Sequence, residues 1–261
     1  MQGLTEFLPI SSSAHVLVVS QLFGWSDPGA AFSAFIQIGT EAAVLVYFAR
    51  DIARILRTWF QSLTRPDLRA SIDARTGWYV IIGTIPIVVL GVLLSDQIET
   101  AARNLWLVAS VLIGFGLLLG AADRFGRKVL ALDQLRARDG VILGFGQALA
   151  LIPGVSRSGA TITTGLALGY TREAATRYSF LLAIPAVLGA GVYESTKIGS
   201  ESSVAWPPTI AATLISFVVG YLVIAWLLRW ISTHSYTPFV IYRIALGALI
   251  FVLLGTGVLT A

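Results

Sequence analysis

Gly146-Gln-Ala-Leu-Ala-Leu-Ile-Pro-Gly-Val-Ser-Arg-Ser-Gly-Ala-Thr161 starts as an apolar helix, stops at Pro153-Gly154, and then presents an arginine between two serines. Irregular backbone inside an apolar segment survives only where protein or a wet cavity satisfies its polar groups. The break therefore reads as a loop lining a site, not as part of a simple span. A second break of the same plan, Gln2-Gly-Leu-Thr-Glu-Phe-Leu-Pro-Ile-Ser-Ser-Ser-Ala-His15, lies about 145 residues earlier.

Around these breaks the 261 residues are 56% hydrophobic and 12% charged, with a mean hydropathy of +0.80. A soluble domain is about 25% charged, so this is the composition of an integral membrane protein. Six stretches supply the roughly 20 residues of apolar helix that a bilayer requires: about 31–49, 78–95, 104–122, 178–196, 207–228 and 240–260. Segments 2–23 and 140–168 carry the breaks. The chain has no cysteine, which excludes disulfides, thiol catalysis and thiolate metal sites. Its pI of about 9.6 comes from basic residues placed between apolar segments, where they set topology, so nucleic acid is not an expected partner. The sequence opens directly in Met1-Gln2-Gly3 without a cleavable leader, and a helix holding Gln2 and Glu6 is expected to begin earlier than this start.

Charge fixes the expected orientation. Arg50, Arg54, Arg57, Arg65, Arg69 and Arg75 crowd one connection, and Arg124, Arg127, Lys128, Arg136 and Arg138 another, so both belong in the cytoplasm. The connections at 96–103 and 197–206 hold one basic residue each and fall outside. Segment 140–168 is flanked by the second basic cluster and by Arg172 and Arg177, which makes it a re-entrant hairpin with both ends cytoplasmic. Segment 2–23, with no basic residue before Arg50, enters from the outer side. The expected fold is all-α: a single integral membrane domain over 1–261, six transmembrane helices plus two re-entrant helical hairpins. It forms an inverted repeat of halves about 1–122 and 140–261. Such repeats place a site at the midplane, where broken helices meet. The polar stretch 61–76 is expected to be a cytoplasmic loop.

The ionisable residues of the breaks carry the candidate chemistry. Glu6 lies among Leu4, Phe7 and Leu8, where an acid costs about 2.5–3.5 kcal/mol at membrane depth and is by default functional; a position among headgroups is the alternative. Gln2, four residues earlier, shares its helical face. Ser11, Ser12, Ser13 and His15 offer hydroxyls and an imidazole for acid, base or nucleophilic work, or else a helix cap. His234 lies in a Ser-Thr-His-Ser loop and is expected to be solvated. Arg157, between Ser156 and Ser158, presents a planar fork suited to phosphate oxygens, with a helix start adding amide donors. An ion pair between Arg157 and Glu6 is compatible with that role. Gln37 and Glu41 share one face of the first span, and Glu41 is a second acid that orients a group or holds a cation, or else is a structural partner for a backbone or hydroxyl group. Tyr242 and Arg243 are expected to anchor their helix at the interface.

Together the two motifs, with Ile36-Gln-Ile-Gly39 and the stretch 238–243, closely resemble the bacterial undecaprenyl-diphosphate phosphatases, also called bacitracin-resistance proteins, over nearly the whole chain. The resemblance implies a multi-pass hydrolase of the bacterial plasma membrane. Such an enzyme removes one phosphate from undecaprenyl diphosphate and recycles the lipid carrier of cell-wall synthesis, with its site open to the outer face and the bilayer and a polyprenyl diphosphate as partners. It assigns the acidic motif to Gln2 and Glu6, the hydroxyl and histidine positions to Ser12, Ser13 and His15, and the second motif to Ser156, Arg157, Ser158 and Thr161. The family pattern admits Glu or Gln at the first acidic position. Here it is Gln2, so a site for Mg2+ or Ca2+ built on Glu6 needs Gln2 or Glu41 as its second ligand. The implied mechanism has Arg157, Ser156 and nearby amides holding the diphosphate while Ser12 attacks, with Glu6 and His15 handling the proton. His15 and water stay open as nucleophiles, and a homodimer is left open as an assembly.

Two other classes compete. Inverted repeats with broken helices also make polyprenyl-phosphate transporters or flippases. The other superfamily of membrane lipid phosphatases pairs its Ser-Arg motif with a downstream His, and no histidine follows Arg157 until His234.

Overall fold

The structure, a computed structural model, describes residues 1–25, 30–102, 104–197 and 206–260. Arg103 and residues 198–205, part of the connections expected on the outer side, lie outside the described residues. Twelve α-helices and no named strand are found among the described residues. They run α1 Gln2–Thr5, α2 Ser12–Leu22, α3 Ala30–Tyr47, α4 Ala49–Thr64, α5 Ile72–Leu93 and α6 Ser95–Ala102. Then come α7 Leu105–Phe125, α8 Ala137–Ala148, α9 Arg157–Ala167, α10 Arg172–Lys197, α11 Trp206–Ile231 and α12 Thr237–Gly255.

Four of these, α5, α7, α11 and α12, are long and apolar enough to cross a membrane, and a fifth if α3 is counted with α4. Side-chain caps fix two starts: Ser71 accepts from the Ala74 amide ahead of α5, and Asn104 from the Leu107 amide ahead of α7. α10 has 26 residues, about 39 Å of helix, and opens with the charged turn Arg172-Glu173.

One expectation changes. Much of the basic connection after the first span is helix α4, bent by 71° from α3. Its apolar Leu56, Phe60 and Leu63 are exposed beside Arg54 and Arg57, the amphipathic pattern of a helix lying on a membrane surface. Between α4 and α5 there remains only a short connection that holds a 3-10 turn at Pro66–Leu68.

Helix contacts recur in two sets. α3 lies on α11 as α5 lies on α10, and α1 on α11 as α8 on α5, while α7 and α12 pair with each other. Helices in lipid associate through close contact of small residues. At the α5–α8 crossing a Cβ on Gly144 would stand 2.4 Å from the Gly83 carbonyl oxygen, so only glycine allows that approach. At the α1–α11 crossing a Cβ on Gly3 would stand 2.5 Å from the Ser216 oxygen. These contacts bring the ends of α1 and α8, and hence both breaks, to the middle of the bundle.

Candidate active site

Both breaks are built the same way. Ser11 and Ser156, 145 positions apart, are the N-caps of α2 and α9, each of 11 residues. Both take φ 70°, a left-handed backbone that serine adopts only under constraint, at about 1–3 kcal/mol each. Ser156 Oγ accepts from the Gly159 amide, while Ser11 Oγ and Ser13 Oγ share a hydrogen bond of 3.2 Å. Ser158 and Ser156 hydroxyls make the matching contact at 3.2 Å, and Ser158 also donates to the Leu8 carbonyl.

What holds the strained turns is Arg243 of α12. It is fully buried, its Nη1 donating to the Pro9 and Val155 carbonyls, its Nη2 to Gly154, and its Nε to Leu112 on α7. Pro9 and Gly154 are equivalent positions of the two breaks, so one guanidinium bolts the loops together. Its expected role as an interfacial anchor is therefore corrected: the arginine is a buried tie between loops.

Glu6, at the C-terminal end of α1, is the centre of the site. Its Oε1 accepts from Arg157 Nη2 at 2.6 Å, and its Oε2 from Ser12 Oγ at 2.7 Å and Gln2 Nε2 at 2.9 Å. The pair is largely withdrawn from solvent, with side-chain exposures of 20% for Arg157 and 10% for Glu6. Ser12 and Arg157 are the first residues of α2 and α9, so the free amides and positive ends of two helices face one place, a ready seat for an anion. An open cavity of about 910 Å³ lies there, lined by Gln2, Glu6, Ser12, Ser13, Ser156 and Arg157, and by Gln37 of α3. A second, more apolar cleft reaches Glu6 and Arg157 from between α3 and α10. Glu41 lines it, with one buried carboxylate oxygen that has no hydrogen-bond partner.

Two residues assigned by the resemblance stand apart. Thr161 is fully buried and its hydroxyl is spent on the Arg157 carbonyl. His15 lines neither cavity. Its Nδ1 donates to the Ser11 carbonyl at 2.7 Å, and its Nε2 meets the Tyr242 hydroxyl at 2.7 Å. On α2 the cavity takes Ser12, Ser13, Val16, Leu17, Ser20 and Gln21, while Ala14, His15 and Val18 are buried on the opposite half of the helix. His15 thus braces the turn at Ser11, with Tyr242 as the partner that sequence did not assign. His234 is exposed and stacked on Trp230.

Comparison with known proteins decides the family, because residues 1–249 match the family model described as bacitracin resistance protein BacA. The chain belongs to the BacA family. Relatives named undecaprenyl-diphosphatase cover all of this chain. That of Kineococcus radiotolerans is 60% identical over 262 residues, 93% of its own length. That of Nocardioides sp. is 59% identical over 262 residues, 96% of its length, and that of Thermobifida fusca 58% over 260 residues, 89% of its length. In this BacA chain the carboxylate, hydroxyl and arginine of the two family motifs converge at Glu6, while the motif histidine faces away.

Proposed function

We propose that the chain is a membrane-embedded phosphatase that hydrolyses undecaprenyl diphosphate to undecaprenyl phosphate and inorganic phosphate. The observation that carries this is the single carboxylate of Glu6 holding both the Ser12 hydroxyl and the Arg157 guanidinium where two helix starts meet. The names of the relatives support the same substrate. They give no such support to a transporter.

Phosphoryl transfer needs an oriented nucleophile, a proton acceptor and fixed positive charge on the phosphate oxygens. Ser12 Oγ, already donating to Glu6, gives its proton to that carboxylate as it bonds to the terminal phosphorus. The anhydride bond breaks and the electron pair leaves on the lipid monophosphate. Arg157 makes its only side-chain hydrogen bond among the described residues through Nη2, so most of its five N–H donors serve the diphosphate. Glu6 passes that proton to the departing lipid monophosphate; water then cleaves the phosphoserine, with Glu6 taking the water proton and returning it to Ser12 Oγ. His15 keeps the strained Ser11 turn in place, and with it the aim of Ser12.

No cluster of three or more His, Asp or Glu suited to a metal exists among the described residues. That fits Mg2+, which binds through one or two carboxylates plus substrate phosphate oxygens. Glu6 and the unpartnered oxygen of Glu41 would hold such an ion, with Gln2 bracing Glu6. The ion would add charge neutralisation. A Glu41→Gln variant that kept parental turnover and metal dependence would remove Glu41 from this role.

The membrane plan that best suits the packing has α3, α5, α7, α10, α11 and α12 crossing, with α1–α2 and α8–α9 as re-entrant hairpins. Exchange of the halves maps the α3–α11 contact onto α10–α5 and the α1–α11 contact onto α8–α5, as an inverted repeat requires. The open cavity then faces outward.

Release of phosphate by purified protein in detergent tests the function. Arg157→Ala should lower kcat by about 10²–10³-fold, the usual loss when a transition-state charge partner is removed. Substrate binding without turnover in the parent would instead support a carrier.

A further inference from the structure

α4 presents three faces. Ile55 and Ser62 are buried, and Trp59 packs over Gly77 of α5. At 3.6 residues per turn, Leu56, Phe60 and Leu63 fall roughly 80–140° to one side of Ile55, and Arg50, Arg54, Arg57 and Gln61 roughly 100–160° to the other. The three apolar side chains are exposed, Phe60 by 59%. On the basic flank an open cavity of about 530 Å³ is lined by Ala53, Arg54, Arg57, Thr58, Gln61 and Arg65. Three guanidiniums, a hydroxyl and an amide line it, and no acid does.

The acids of α4 and of the facing start of α5 are already engaged. Asp51 and Asp73 both accept from Arg54, and Asp51 also pairs with Arg177 of α10. Arg57 and Arg65 are exposed and have no ion pair or hydrogen-bond partner among the described residues. A guanidinium without an acid suits phosphate oxygens, which its planar fork grips two at a time.

We propose that this cavity binds the headgroup phosphate of an anionic phospholipid, while Leu56, Phe60 and Leu63 on the opposite flank lie among acyl chains. A helix in the membrane plane with its apolar flank at the acyl boundary carries its basic flank at headgroup height. That placement favours a lipid phosphate over a soluble anion. In the membrane plan above, α4 lies on the cytoplasmic leaflet, where anionic lipids gather at basic segments, at the other end of the bundle from the outward cavity at Glu6. This second lipid site stands apart from the phosphatase reading and needs no turnover to be seen.

Two measurements test it. The first follows binding of dioleoylphosphatidylglycerol and dioleoylphosphatidylcholine to the purified full chain in detergent by native mass spectrometry. The parent should hold phosphatidylglycerol at least tenfold tighter. The double variant Arg57→Gln/Arg65→Gln should lose most of that preference without a change in its lipid-free melting temperature, and the exposed control Arg229→Gln on α11 should keep it. No preference in the parent, or a double variant that keeps the parent's, overturns the proposal. So does inorganic phosphate that displaces phosphatidylglycerol as well as unlabelled phosphatidylglycerol does, the mark of a soluble-anion site. The second uses unaltered protein, so it decides even if the double variant fails to fold: phosphatidylglycerol with a photoreactive headgroup should give adducts within residues 53–65, and adducts confined to other helices overturn the proposal.

Discussion

Replacing Arg243 with methionine keeps an unbranched apolar stem, shorter than the arginine, and removes every donor that ties the two breaks to α7. Four hydrogen bonds disappear, to the carbonyls of Leu112, Pro9, Val155 and Gly154, in surroundings with no exposed side-chain surface. Bonds from a charged donor are worth about 1.5–3 kcal/mol each, so the gross loss is about 6–12 kcal/mol. Burying a guanidinium costs several kcal/mol, and methionine regains that. The net destabilisation expected is about 3–5 kcal/mol, or about 10 °C of melting temperature at roughly 2–4 °C per kcal/mol for a chain of this size. Turnover should fall further than stability, because Ser11 and Ser156 lose what holds them at φ 70° and the first residues of α2 and α9 lose their aim. Arg243→Lys, with three donors at one point instead of a fork, should fall between parent and methionine. The assay is thermal unfolding in detergent beside phosphate release, with exposed Arg229→Met as the control. An Arg243→Met protein that melted within 2 °C of the parent and kept its turnover would refute the keystone role.

Further outcomes follow from the same geometry. Tyr242→Phe leaves His15 Nε2 without its partner and should lower kcat by less than about tenfold, far less than loss of Ser12, since a brace and not a reacting group is removed. A loss equal to that of Ser12→Ala would return His15 to the chemistry. Tyr170, between α9 and α10, has its hydroxyl pushed above the usual tyrosine range by burial and by its bond to Asp139. The folded state therefore holds that proton more tightly than the unfolded chain. The associated stability is complete below about pH 10, the unfolded tyrosine value, and is lost as pH rises toward the higher folded value. Tyr170→Phe should show a shallower alkaline loss of melting temperature; a loss as steep as the parent's would contradict this.

The fold was legible where hydropathy and charge act over many residues: α5, α7, α11 and α12 lie close to the apolar stretches that announced them. α4 was hidden because its arginines made the stretch look like loop, although Ile52, Ile55, Leu56, Trp59, Phe60 and Leu63 recur at helical spacing. The shared face of Gln2 and Glu6 followed from their four-residue spacing, while the ion pair of Glu6 with Arg157 stood as one reading of that arginine beside a phosphate cradle and is formed in the structure. What escaped depended on rotation and tertiary contact. His15 is three residues from Ser12, yet the turn at Ser11 rotates α2 so that one faces the cavity and the other the core. Arg243 looked like an interfacial residue of an otherwise apolar helix. Its distance from Thr237, about 9 Å into α12, was the signal that it sits deeper. Nothing in its own segment pointed to the carbonyls it binds, two sets in the loops and one in α7, which come from three distant parts of the chain.

The central claim is that Glu6 activates Ser12 for attack on the terminal phosphorus. Quenching the protein during turnover of farnesyl diphosphate labelled on its terminal phosphate, in acid and in parallel in alkali to preserve an acid-labile phosphohistidine, and mapping the label by mass spectrometry tests it directly. The account predicts phosphate on Ser12, lost in Ser12→Ala and strongly reduced in Glu6→Gln. Phosphate on His15, or rapid turnover by a Ser12→Ala protein with no covalent intermediate, would contradict it.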